Sequence, residues 1–328
     1  MAPSRERWIG RIRSRLEQAG FYVADAHGIR PSSFDLAARR DSTLLLVKAL
    51  KNIDAFDSEE AERLRELAQL LPATAIVIGQ TSGAAELDAG VVYTRYGVSI
   101  INEETLQEFL EKALPPFLYA SPGGTFARID GERLRELRTG RGLSLGTLAS
   151  IAGVSRRAIQ LYEDGAGAEI TVIERIEQYL GEPVVRPADL FGPPPPRRPA
   201  EGAPDADGEA PPEATRRSSG DPWRDAVLNQ LDGMGLDITI TARAPFDALG
   251  RTPDDLLLAA IGSLRTALHR AEVLHGLAHV AEGHAIFVVR EQVHRASIGG
   301  LPILNPAELK RHRDADDLLE EISEREGP

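Results

Sequence analysis

The sequence has no cysteine, which removes disulfides, thiol catalysis and thiolate metal sites together. Lysine is scarce, occurring only at positions 48, 51, 112 and 310. Nearly all basic side chains are therefore Arg, which points to a GC-rich genome more than to a function. No run of about eighteen apolar residues exists, the length a membrane-spanning helix needs. The opening stretch MAPSRERWIGRIRSRL carries charge where a secretory leader is apolar, so the expectation is a cytoplasmic protein with no membrane partner. Excess positive charge is lacking too: 38 Lys and Arg against 50 Asp and Glu leave a net charge of -12. An acidic chain repels a phosphate backbone at long range, so any nucleic-acid contact must come from a local basic patch.

What is present is a folded composition, 42% hydrophobic and 27% charged over 328 residues. That length exceeds one ordinary core and predicts two or three domains. Residues 193–222 run PPPPRRPAEGAPDADGEAPPEATRRSSGDP, with no apolar periodicity to offset the entropy of ordering them. They read as a disordered, Pro-rich linker; a proline-rich partner motif is the alternative.

The regions on either side of this linker resemble each other. Trp8, Leu16 and Gly20 recur as Trp223, Leu231 and Gly235 at constant spacing. Phe34-Asp35 recurs as Phe246-Asp247, and Leu44-Leu45-Leu46 as Leu256-Leu257-Leu258. Leu64, Leu67 and Ala68 match Leu274, Leu277 and Ala278, and the apolar run from Ala75 matches that from Ala285. Both regions close on an apolar run and an asparagine, Asn102 and Asn305, suited to an N-cap; Pro306 then fits a first helical position. An ordered series with small gaps indicates an internal repeat. Each copy reads helix, three strands, helix, strand, short strand and helix. In the first copy the helices are expected at about residues 5–19 and 59–71, and the strands at 21–24, 34–38, 44–50 and 75–79. That order predicts an α/β layer architecture.

The segment Pro31-Ser32-Ser33-Phe34-Asp35, followed by Leu44-Leu45-Leu46-Val47-Lys48, resembles the core of the restriction-endonuclease-like fold, especially archaeal Holliday-junction resolvases. The resemblance implies an Asp on one strand and an acid-x-Lys on the next, together holding Mg²⁺. Such a hard cation takes oxygen ligands, and the Lys steadies the developing anion. Asp35 and Lys48 fit that pattern, but Leu46 stands in the second acid position. In the second copy Asp247 persists while Leu258 and Ala260 replace the acid and the Lys. Two degenerate nuclease-like domains without a metal or cofactor are therefore expected. The plainer reading of Asp35 is a strand-end residue in a folded core.

Between the copies the pattern changes to short helices, IDGERLRELRTGRGLSLGTLASIAGVSRRAIQLYEDG and then AEITVIERIEQYLGEP. Leu134 and Leu137 lie on a first helix, and Leu145, Leu148 and Ala149 on a second. Gly153 can take the left-handed turn conformation. Ser155 is an N-cap for a third helix whose Ile159 and Tyr162 face inward, leaving Arg156, Arg157 and Gln160 outward near its start. This run closely resembles the phage-repressor (Cro/cI-like) helix-turn-helix family. The resemblance implies that the third helix enters the major groove of double-stranded DNA, with Ser155, Arg156, Arg157 and Gln160 at the reading positions. Ser144 and Arg141, near the start of the second helix, fall where phosphate contacts are expected. Nine Arg and ten acids between residues 128 and 191 give this segment no net basic footprint, which implies either strongly salt-dependent binding or acids on the far face.

His275 and His279 stand at i,i+4 spacing, which suits either a Zn²⁺ pair or, more plainly, a solvated helix face. The complete order is α/β plus all-α: a nuclease-like domain at 1–118, a helix-turn-helix at 128–192, the linker at 193–222 and a second nuclease-like domain at 223–325. It resembles the archaeal family of helix-turn-helix transcriptional regulatory proteins, on residues extending to about 192. The expected function is a non-enzymatic, sequence-specific DNA-binding transcriptional regulator. Two alternatives remain: a Mg²⁺-dependent nuclease or junction-binding protein using Asp35 and Lys48, and a purely assembly-forming protein. Because resolvase-like domains pair as symmetric dimers, a homodimer or an intrachain pseudo-dimer of the two copies is expected.

Overall fold

The computed structural model describes residues 4–29, 32–121, 124–192, 220–293 and 295–326. The expected linker therefore lies outside the described residues, apart from its last three positions. In chain order the first elements are α1 (Arg5–Gln18), β1 (Tyr22–Asp25), β2 (Leu36–Arg40), β3 (Thr43–Asn52), α2 (Ser58–Leu70) and β4 (Thr74–Ser82). There follow β5 (Ala85–Glu86), β6 (Val91–Arg95), β7 (Val98–Asn102), α3 (Glu103–Lys112), β8 (Leu118–Ser121) and β9 (Gly124–Ile129). The central helices are α4 (Gly131–Gly140), α5 (Leu145–Ala152), α6 (Arg156–Glu163) and α7 (Ile170–Leu180), with β10 (Gly167–Glu169) before α7 and β11 (Val185–Arg186) after it. The last third holds α8 (Pro222–Gly233), β12 (Asp237–Ile240), β13 (Ala248–Arg251), β14 (Leu256–Gly262), α9 (Leu264–Ala281) and β15 (His284–Val289). It ends with β16 (Ser297–Ile298), β17 (Leu301–Leu304), α10 (Pro306–Leu309) and α11 (Ala315–Arg325).

The chain divides into two compact units, one of Met1–Ala49, Glu62–Ala75 and Pro196–Pro328, the other of Leu50–Ala61 and Ile76–Pro195. In the first unit β1, β2 and β3 form an antiparallel meander. The last third builds a second sheet in the order β12-β13-β14-β15-β17-β16. Its first three strands are antiparallel, and β14-β15 and β15-β17 are parallel. A parallel pair needs a crossover, and α9 supplies it between β14 and β15. Strand β14 is apolar without alternation, LLLAAIG, and is buried along nearly all of its length, as a strand covered on both faces must be. Helix α8 begins with Asp221 as N-cap and Pro222 in its first turn, and packs Val227, Leu228 and Leu231 onto this sheet beside Leu318 and Ile322 of α11. Helix α1 buries Trp8, Ile9, Ile12 and Leu16. At β17 the Asn305-Pro306 start is as read from the sequence: Asn305 accepts from the Ala307 and Glu308 amides and Glu308 closes the capping box.

In the second unit β4 runs parallel to β7, β7 pairs antiparallel with β6, and β6 runs parallel to β8. The β8-β9 hairpin carries on to β10 and β11, both antiparallel to β9. None of β8 to β11 was expected from the sequence. The stretch 118–128, read as the break between two domains, holds this hairpin instead, so strand pairing links the first α/β region to the helices. Strand β2 also differs, starting at Leu36 rather than residue 34. Asp35 immediately precedes it, and its amide donates to the Val47 carbonyl at 2.8 Å.

Candidate nucleic-acid interface

The four helices α4 to α7 are set by their caps. Asp130, Ser144 and Ser155 accept from the backbone amides of Arg133, Thr147 and Ala158, opening α4, α5 and α6. Each bond satisfies one of the donors that a helix start leaves unpaired. Gly153 closes α5 with φ 70°, a left-handed conformation that glycine adopts without steric cost. The chain then turns into α6 over two residues. Leu134, Leu148, Ala149, Ala152 and Ile159 meet Val172, Ile173, Ile176 and Leu180 of α7 in one core, with Tyr162 partly buried against it. Ile159 is fully buried, whereas Ser155, Arg156, Arg157, Gln160 and Leu161 are exposed. The expected reading positions thus share the outward face of α6, on the first turn and just beyond it.

The C-terminal end of α6 is anchored by a charge cluster that the sequence did not disclose. Glu163 is buried and accepts from Arg138 Nη2 at 3.1 Å and Arg135 Nε at 3.2 Å, with a further short bond from Arg138 Nε. Burial alone would raise the Glu163 carboxyl, but the bonds from Arg138 and then Arg135 outweigh it and hold the group below the ordinary carboxylate range. Arg138 also donates to the Leu143 carbonyl at 2.9 Å. Helix α4 approaches this point so closely that a Cβ on Gly131 would lie 2.3 Å from the Glu163 carbonyl oxygen. Glycine is required there by the contact.

This cluster belongs to a wider distribution of charge. Arg133 pairs with Glu182, Arg135 with Glu163 and Asp164, Arg138 with Glu163, and Arg186 lies 3.9 Å from Asp130. Arg128 sits over the Tyr119 ring at 5.8 Å. Arg175 donates to the Ala152 carbonyl at 2.9 Å, and Arg141 to the carbonyls of Tyr179 and Leu180. Of the nine Arg between residues 128 and 191, that leaves Arg156 and Arg157. Among the described residues neither has a side-chain hydrogen bond or ion-pair partner. Most of the acids that cancel the net charge of the segment are engaged elsewhere, and the two free guanidinium groups are adjacent at the start of α6. Arg141, expected at a phosphate position, instead ties the end of α4 to the end of α7.

Asp35 is fully buried. Both of its oxygens accept from Arg5 Nη2, at 2.7 and 2.8 Å, and Oδ2 also accepts from the Ala49 amide at 2.8 Å. Arg5 reaches the Ala49 carbonyl as well. The same arrangement surrounds Asp247: Arg224 Nη2 lies 2.9 Å from Oδ1, the Ile261 amide donates to Oδ2 at 2.7 Å, and Arg224 donates to the Ile261 carbonyl at 3.0 Å. Lys48 is buried, its Nζ 3.1 Å from the Ser32 carbonyl oxygen. Leu46, in the second acid position, is fully buried. A nuclease-type Mg²⁺ site needs several oxygen ligands facing one point. Here each lone carboxylate is neutralised by an Arg from the preceding helix and tied to a backbone amide. These residues do not fit that cation. Among the described residues no group of three or more His, Asp or Glu could hold a metal.

The face of α9 bearing His275 and His279 is not simply solvated, as its spacing had suggested. Its Gly276 lies against Ala24 of β1, and the His279 ring packs tilted against Tyr22 with the ring centroids 4.3 Å apart. No helix among the described residues is long and apolar enough to cross a membrane.

A PD-(D/E)XK superfamily domain matches residues 5–115, and a helix-turn-helix matches residues 134–185. A "Putative HTH-type transcriptional regulatory protein" of Halobacterium salinarum is 37% identical over 325 residues, 98% of each chain. Proteins of the same description from Halorubrum lacusprofundi and Methanosarcina acetivorans are 37% and 35% identical, again over 98% of each chain. These matches continue through the C-terminal third, past residue 192, where the sequence resemblance was expected to stop. No solved structure matches. With full-length relatives at this identity, the chain belongs to the archaeal family of HTH-type transcriptional regulatory proteins.

Proposed function

We propose that the chain is a sequence-specific DNA-binding transcriptional regulator whose helix α6 reads the major groove. The observation that carries this reading is the isolation of Arg156 and Arg157. In a segment where every other Arg has a partner, these two stand free and adjacent on the first turn of the exposed third helix. Arg reads guanine O6 and N7 through two parallel hydrogen bonds, the commonest specific contact in the major groove. Gln160, one turn on, suits adenine, and the Ser155 hydroxyl lies at the edge of the same face. Ser144 at the start of α5 takes a phosphate. Arg141, held by two carbonyls, reaches a phosphate only with its remaining N–H groups.

On this reading residues 128–192 form the DNA-binding domain. The regions 1–118 and 223–325 are two copies of one nuclease-like domain kept as a non-cleaving scaffold. The Arg5–Asp35 and Arg224–Asp247 pairs support that loss of chemistry, because each occupies the carboxylate a metal would need. Partial sequencing of a random duplex pool carried through several rounds of binding tests the proposal. An enriched motif, bound with an affinity that falls steeply as salt rises, is the expected result. A pool that stays random overturns it.

A further inference from the structure

Three polar contacts in the first compact unit join the two nuclease-like regions, and two of them are reciprocal. Arg39 in β2 and Arg251 in β13 occupy corresponding places, each on the second strand of its region, four residues after Asp35 and Asp247 respectively. Arg39 Nη2 pairs with Glu282, the residue that caps the C-terminal end of α9. Arg251 Nη2 donates at 2.6 Å to the carbonyl of Leu70, the last residue of α2. Helices α2 and α9 correspond as well, each following the third strand of its region. The contact from strand two of one region to the end of the crossover helix of the other is therefore made in both directions. Between them the Ser33 amide donates at 2.7 Å to the Arg243 carbonyl. This joins the loop before Phe34 to the loop before Phe246, the two loops that a two-fold axis would bring together.

Reciprocity of this kind is the signature of an isologous interface, in which a contact from i to j recurs from its mate. We propose that, within this unit, the N-terminal part (residues 4–49 and 62–75) and residues 223–325 form an intrachain pseudo-two-fold pair, and that a single chain thereby closes the interface a homodimer would otherwise build. The packing between the two regions is close. An ideal Cβ on Gly276 of α9 would lie 3.3 Å from the Ala24 Cβ of β1, and the Tyr22 and His279 rings meet at a tilt beside it. One helix-turn-helix, at residues 134–185, accompanies each such pair. A homodimer presents two reading helices and selects a palindromic site. This chain presents one. Resting on the DNA-binding reading above, the consequence is that the protein binds as a monomer and selects one asymmetric half-site, without an inverted repeat.

The absence of cysteine makes the test clean. In the full chain, Ala24→Cys with Gly276→Cys places two thiols close to the Cβ separation of a disulfide, about 3.5–4.5 Å. Oxidised at low micromolar concentration, the double variant should give a disulfide-closed monomer. It should run faster than the reduced chain on a denaturing gel and keep a mass near 35.6 kDa by light scattering. Each single-cysteine variant should give no such band. A covalent dimer would mean that two chains exchange their C-terminal regions, and no crosslink would mean that the interface is absent; either result overturns the proposal. Should the double variant fail to fold, the unmodified chain serves: it is predicted to be monomeric free and one-per-site on DNA, and a dimer in either state refutes the inference. The crosslink is read without DNA. A closed monomer together with an unenriched pool would leave the interface standing and remove only the DNA-binding reading.

Discussion

Replacing Glu163 by Gln removes the charge that holds α6 to α4 while keeping the shape of the side chain. The Glu163 side chain is 5% exposed, against 13% for Arg138 and 52% for Arg135. The half-exposed Arg135 pair contributes at most about 1 kcal/mol, since solvent screens it. Breaking a buried pair by removing one partner costs about 3–5 kcal/mol. Gln retains an acceptor oxygen and Arg138 keeps the Leu143 carbonyl, so the low end applies, about 3 kcal/mol. At 1.4 kcal/mol per factor of ten, amides in α4 to α7 should exchange with solvent about two decades faster. Hydrogen exchange read by mass spectrometry on the full chain measures this helix by helix. The pH dependence follows from the depressed Glu163 carboxyl. Its contribution is fully present above the unfolded value of about 4.3 and is lost as pH falls through the lower folded value. Corrected for intrinsic rates, the native chain should lose protection in this region at acid pH, and Glu163→Gln should lack that step. Exchange in α4 and α6 unchanged within about threefold would refute the idea that this cluster fixes α6.

Ser155→Ala removes the N-cap of α6 and should cost about 1 kcal/mol in urea unfolding of the helical segment; DNA affinity should fall with it, because the cap sets the start of the reading helix. Gly131→Ala forces a methyl group against the Glu163 carbonyl and should destabilise by at least about 2 kcal/mol; a neutral result in thermal melting would contradict the close approach. Asp35→Ala leaves Arg5 without its carboxylate and should cost about 3 kcal/mol, and neither it nor the native chain should cleave branched or linear DNA in Mg²⁺. Sustained turnover by the native chain, abolished in that variant, would show that the carboxylate retains nuclease chemistry.

Much of this was readable from the residues because the signals were local. Ser155, Asn102 and Asn305 announced three helix starts, and each accepts the capping bond expected of it; Ser144, expected only as a phosphate contact, caps α5 as well. The apolar runs of β3, β4 and β14 announced strands. What stayed hidden depends on partners distant in sequence. Glu163 has no role legible in the sequence, because its Arg partners are 25 and 28 residues away. Strands β10 and β11 span three and two residues, too short to show alternation, and they reach β9 from about forty residues or more along the chain, so nothing local marked β9 as part of a sheet and the hairpin at 118–129 passed for a boundary. Arg141 looked like a phosphate contact because only folding brings it to the end of α7. The free state of Arg156 and Arg157 is also a tertiary fact: composition showed a balance of charge, and only the pairing shows which charges are left over.

The central claim is that these two guanidinium groups read bases. Arg157→Ala, titrated on the selected duplex and on an unrelated duplex at the same salt, tests it most directly. The account predicts a loss of about 1–3 kcal/mol on the selected site, relaxed preference at one base position, and a much smaller loss on unrelated DNA. Equal losses on both duplexes, with the selected motif unchanged, would show that Arg157 only meets phosphate and would contradict base reading by α6.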